Sequence, residues 1–237
     1  MSAINDSSRV TRSSRFRTAS FTLLLAAAVL FLASVLVQQR ASVQGWEVFT
    51  GAFSGDGPGI DPQEQFAATA RLFAVANALK TLGILAMAAG VLTLPRAAHR
   101  RRAVVAGSVA AVLVAVSFGI HAMLAAGQGS TGVQSLVMDP ALPQRMLFLF
   151  CLVGLVAAAI WWRGTCRPAV IGCLFLLGST VLGEFVANFF LAPLLAGHPW
   201  TDSFGWTGIL AMASTAAAGI SMLFAAGTVR RAAGRAG

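Results

Sequence analysis

Three ionisable side chains stand inside stretches that otherwise avoid charge: Glu184 in GSTVLGEFVANFF, Lys80 in LFAVANALKTLG and His121 in VSFGIHAML. An acid, an amine and an imidazole are the groups with which a protein binds ions, relays protons or pairs charges away from water, and Lys80 is the sole lysine of the chain. Smaller polar residues accompany them at helical spacing. Thr180, Glu184 and Asn188 recur every four residues, Asn77 stands with Lys80 and Thr81, and Ser117 lies one turn from His121. Each set would form a polar stripe on one face of a helix.

The elements that must position these stripes are apolar. Of 237 residues 57% are hydrophobic and only 11% charged, far from the roughly 25% charged content of a soluble domain, and the mean hydropathy is +0.77. The net charge of +9 does not indicate nucleic acid, because the arginines punctuate long apolar runs and form no basic face on a soluble body. Stretches of ~20 apolar residues rising ~1.5 Å each cross a hydrocarbon core of ~30 Å. The charges mark spans at about 19–38, 72–95, 103–126, 146–162, 168–192 and 206–229, with an outer loop at 39–70. The expected fold is therefore all-α: a polytopic bundle of six transmembrane helices. Span four, enclosed by Arg145 and Arg163, is short enough that one of these arginines is expected to snorkel.

Orientation follows from the arginines. With the N-terminus inside, the inner segments hold Arg9, Arg12, Arg15, Arg17, Arg96, Arg100, Arg101, Arg102, Arg163, Arg167, Arg230, Arg231 and Arg235 against the single anion Asp6. The outer segments hold Arg40, Arg71 and Arg145 against Glu47, Asp56, Asp61, Glu64, Asp139 and Asp202. Basic residues flanking short loops resist translocation, so both termini are expected in the cytoplasm of a multi-pass cell-membrane protein. Residues 1–17 and 230–237 read as basic cytoplasmic tails, the first disordered and attracted to anionic lipid. The first span is longer than the apolar core of a signal peptide and is expected to be retained.

Depth relates the three ionisable groups. Glu184 lies 17 residues beyond Arg167, Lys80 lies 16 before Arg96, and His121 lies 19 beyond Arg102, which at ~1.5 Å per residue puts them at about one level in the outer half of the layer. Exposure of a charge to lipid costs at least ~2.5 kcal/mol, so the stripes should converge on the bundle interior or a water-filled cavity. The expected cluster is thus Glu184, Lys80, His121, Asn188, Asn77, Thr180, Thr81 and Ser117. Two roles fit it. Lys80 and Glu184 can be a structural pair that fixes helix register, or Glu184 can exchange an ion or proton with Lys80 as counter-ion.

Other chemistries find little support. Cys151, Cys166 and Cys173 form no CxxC pair, and only His121 of the three histidines lies within a span, so no metal ligand set and no haem is expected. The acidic loop around SGDGPG lacks the spacing and closing Glu of a calcium loop. Nucleotide-binding loops, zinc-protease helices and serine-nucleophile elbows are missing too, which leans away from an enzyme and makes a membrane redox enzyme the least favoured reading.

None of the eight prolines interrupts a span, so continuous helices are expected, which argues against sites built from broken helices. The function expected is a transport-type, permease-like component working with the bilayer and with another membrane subunit or a separate ATPase. The alternative is a non-transporting accessory or assembly protein in which the Lys80/Glu184 pair only locks the fold.

Overall fold

A computed structural model of the chain describes residues 3–54, 62–94, 101–131, 141–191, 194 and 203–234; within them many side chains, most of them near helix ends but also those of Glu184 and Asn188, are outside the description. The described residues are helical, with no strand. They form α1 (Ala3–Ser54), α2 (Pro62–Leu92), α3 (Arg101–Thr131), α4 (Ala141–Trp162), α5 (Arg167–Leu176), α6 (Val181–Val186) and α7 (Ser203–Gly234).

Four stretches are long and apolar enough to cross a membrane: Phe16–Gly45, Ala67–Leu92, Arg101–Leu124 and Gly208–Arg231. The shortest of them, at 24 residues, reaches ~36 Å, longer than the ~30 Å of a hydrocarbon core. The expected fourth and fifth spans appear as shorter apolar helices, Leu149–Trp162 and Arg167–Ser179. The α1 helix runs from Ala3 through the apolar stretch to Ser54. Neither Pro nor Gly occurs before Gly45, so a helix nucleated in the apolar run propagates in both directions at little cost.

Helices adjacent in sequence are adjacent in space, and the last closes on the first. α1 packs on α2 and α7, α2 on α3, α3 on α4, α4 on α5, and α5 on α7. Pairs of contacts fix the antiparallel register. Ser20 Oγ lies 2.9 Å from Thr93 Oγ1, while Ser34 Oγ donates to the Ala76 carbonyl at 2.7 Å, so α1 and α2 run past each other over most of their length. Val114 fills the space beside Gly154 in the same way between α3 and α4.

Large apolar side chains such as Leu113, Met123, Phe150 and Phe224 point outward and are exposed. A ring of helices that is apolar on its outside as well as inside has the pattern of a body solvated by lipid. The interior nearer the ends marked by Arg17, Arg102, Arg163, Arg167 and Arg230 is filled. Leu24, Met87, Trp162, Leu176 and Met222 are all fully buried there. Met87 from α2 and Met222 from α7 both reach Gly172 of α5, so side chains from three helices meet across the ring at that level.

The fifth span departs from expectation. It is not one helix. α5 ends at Leu176, a 3-10 turn covers Leu177–Ser179, Thr180 is extended (φ −116°, ψ −175°), and α6 begins at Val181 and loosens into a π turn at Ala187–Leu191. The cause lies in the GST triplet. Ser179 Oγ donates to the Leu176 carbonyl at 2.8 Å and Thr180 Oγ1 to the Leu177 carbonyl at 2.6 Å, so hydroxyls engage carbonyls that amides of a continuous helix would share. Thr180 Oγ1 then accepts from the Leu182 amide at 3.4 Å. The freed backbone groups are partly re-satisfied by the side chains that displaced them.

Candidate functional site

Lys80 occupies the middle of α2 and is only 3% exposed. Its ammonium stands over the Phe118 ring of α3, 5.2 Å from the centroid. Ring quadrupole and cation attract, and such contacts are worth about 0.5–2 kcal/mol depending on desolvation. His121, one turn beyond Phe118 and also buried, lies within electrostatic range of Lys80. From α4 comes Cys151, fully buried and within electrostatic range of Lys80. Three helices thus converge on one amine.

The remaining hydroxyls of this cluster turn back on their own helices. Ser117 Oγ donates to the Leu113 carbonyl at 3.0 Å and Thr81 Oγ1 to the Asn77 carbonyl at 2.9 Å. Thr81 also faces Gly119, whose added Cβ would stand at an ordinary contact distance of 3.8 Å from the Thr81 methyl. Ser34 adds a hydroxyl from α1, on the turn of α2 just before Lys80.

A second polar patch lies between α5 and α7. Gly178, at the break, packs so closely on Ser214 that a Cβ there would meet the Ser214 Cβ at 2.6 Å. Ser214 and Thr215 both donate to the Ala211 carbonyl, at 3.1 and 2.7 Å, and both are buried. Thr180 is 1% exposed. α6, which carries Glu184, packs against α4 and α7, so α4 is the element shared by the two patches.

Of the expected site residues, Lys80, Ser117 and His121 come together, with Thr81 and Asn77 on the same helix as Lys80. Thr180 sits apart, in the break. The expected stripe of Thr180, Glu184 and Asn188 does not hold as one helical face, because the four-residue spacing requires an unbroken α-helix: Thr180 precedes α6 in extended conformation and Asn188 falls in the π turn. The side chains of Glu184 and Asn188 lie outside the described residues. Phe118 and Cys151 were not singled out from the sequence, and neither carries a signal that separates it from the other apolar residues of its span.

Among the described residues no three of His, Cys, Asp and Glu lie close enough to hold a metal ion, and the three cysteines are free and buried. The chain matches no protein-family model, no curated protein and no solved structure.

Proposed function

We propose that this chain is an integral membrane protein of six crossings, both termini in the cytoplasm of a cell membrane, that acts as a transport-type component with a polar pathway opening from the outer side. The observation that carries the proposal is the break at Leu177–Thr180, set within the bundle beside the buried hydroxyls of Ser214 and Thr215. Irregular backbone at membrane depth persists only where protein or a water-filled cavity surrounds it, and discontinuous helices are a recurring way to build solute sites. The sequence-based objection to such a site, continuity of the helices, does not apply to the fifth.

The polar cluster around Lys80 would contribute the charged part of the same pathway, and α4 connects the two. The filled layer of Met87, Trp162 and Met222 would close it toward the arginine-rich side. An energy source, if one is needed, would come from a separate ATPase or a second membrane subunit, and the arginines would hold anionic lipid at the inner face. One observation favours the accessory reading. The hydroxyls of Thr81, Ser117 and Thr215 are all satisfied within their own helices, as they would be in a purely structural core.

Water access separates the two. With the three native cysteines replaced by alanine, Thr180→Cys should react from outside with a membrane-impermeant maleimide while Leu176→Cys, in the filled layer, stays unlabelled. If Thr180→Cys is as inert as Leu176→Cys, the break is dry and the accessory reading stands.

A further inference from the structure

We infer that α1 carries a site for one membrane phospholipid, its phosphate held by Gln39, Arg40 and Gln44 and its acyl chains laid along the apolar residues below them. A cavity of about 600 Å³ opens at this place, lined by Leu36, Gln39, Arg40, Val43 and Gln44. All five residues are exposed, and they lie at the end of the Phe16–Gly45 stretch remote from Arg17. One guanidinium and two amides are thus offered where an apolar helix leaves the hydrocarbon.

Helix packing opens space beside them. α1 and α7 meet where the Ala28 carbonyl and Leu32 close on Gly219, at 3.3 and 3.2 Å from an added Cβ. Neighbouring helices of the ring alternate in direction, so eleven residues from that contact stand Gln39 on α1 and Gly208 on α7, each back on its contact face after about three turns. An added Cβ on Gly208 would meet no described atom within 4 Å. The two helices part towards this end.

Below the polar residues the same face of α1 is apolar. At about 100° per residue Leu25, Val29, Leu36 and Val43 fall within about 40° of one another, and all four are exposed. Val29 lies ~16 Å along the helix from Arg40, close to half of a ~30 Å hydrocarbon core and so to the depth of one leaflet. An acyl chain whose headgroup sits on Arg40 therefore runs its length against this stripe. A guanidinium holds phosphate through two parallel N–H donors, and the glutamine amides add neutral donors for phosphate or ester oxygens. A second copy of the chain fits worse, because copies in one membrane share an orientation and a two-fold axis along its normal would set Arg40 against Arg40. The site needs a bilayer and is independent of the break in the fifth span.

The test uses the full chain, stripped of lipid in detergent and titrated with dioleoylphosphatidylglycerol under native mass spectrometry. One saturable adduct is expected. Arg40→Gln should weaken it on the order of tenfold, through loss of charge-assisted hydrogen bonds, and Arg40→Lys by less. Arg71 is the control. It stands level with Arg40 on α2, since Ser34 meets Ala76 and Gly45 meets Thr69, but does not line the cavity. Arg71→Gln should change the affinity by less than about twofold, as a screened charge outside the contact would. Gly208→Leu, which fills the gap from α7 with the charges untouched, should also weaken the adduct. Dioleoylglycerol, which lacks phosphate, should form no saturable adduct, and glycerol phosphate should not displace the lipid.

Equal losses in Arg40→Gln and Arg71→Gln would reduce the effect to general attraction between charges and overturn the site. Saturable binding of dioleoylglycerol would do the same, and displacement by glycerol phosphate would mark a pocket for a free anion instead. A disulfide between two copies of Leu36→Cys, formed in a chain whose three native cysteines are alanine, would put a second copy on this face in place of the lipid.

Discussion

Gly183 packs directly onto the backbone of Gly178, so the two glycines bracket Ser179 and Thr180 at the break in the fifth span. A Cβ on Gly183 would run into the Gly178 carbonyl, which is backbone and cannot rotate away. Gly183→Ala is therefore expected to destabilise the protein by about 1–3 kcal/mol, the usual range for overpacking, seen as a lower melting temperature in detergent. Gly227 in α7 is the control. Nothing lies within 4 Å of its added Cβ, and Gly227→Ala should gain about 0.5–1 kcal/mol from helix propensity. Equal effects at the two positions would mean that the close approach at the break is not real.

The two readings of Lys80 and Glu184 differ in what they predict for stability. If the ammonium has no carboxylate partner, Lys80→Met removes a buried charge and should leave the melting temperature unchanged or raise it. In a double-mutant cycle with Glu184→Gln the coupling should stay below about 0.5 kcal/mol. A structural ion pair predicts the opposite pattern: each single substitution destabilises, and the double variant recovers.

Two buried hydroxyls, Ser108 Oγ on α3 and Thr165 Oγ1 in the turn between α4 and α5, have no hydrogen-bond partner among the described residues. Ser108→Ala and Thr165→Val should each stabilise the protein or leave it neutral, because an unsatisfied buried group costs about 1–3 kcal/mol. Ser34→Ala should do the reverse. It deletes the 2.7 Å bond from α1 to the Ala76 carbonyl of α2 and should cost about 0.5–1.5 kcal/mol. Thermal unfolding of the three variants under one set of conditions checks the contrast.

Trp162 is fully buried at the end of α4, with Nε1 3.5 Å from the Val104 carbonyl and its ring over Gly107. Its loss would open the filled layer at the arginine-rich end. Trp162→Ala should destabilise by about 3–5 kcal/mol, and Trp162→Phe by clearly less, since the long hydrogen bond contributes little beside the packing. Under the transport reading the alanine variant should also leak small ions across vesicles more than the phenylalanine variant does.

Much of this protein is determined by its sequence alone. Runs such as FTLLLAAAVLFLASVLVQQ are too long and too apolar for anything but helices that bury or contact hydrocarbon. The isolation of Lys80 and His121 in such runs was enough to single them out, because a polar group in an apolar helix has few places to face.

Tertiary structure decided which groups those residues meet. Helical spacing says what lies on one face of one helix, but not how helices are rotated about their axes, and that rotation brings Lys80 onto Phe118. The break in the fifth span was likewise settled by packing. Gly, Ser and Thr are tolerated inside a helix when nothing competes for their carbonyls; here the seat of Gly178 on Ser214 and of Gly183 on Gly178 leaves the Ser179 and Thr180 hydroxyls to take over, and the continuous helix is lost.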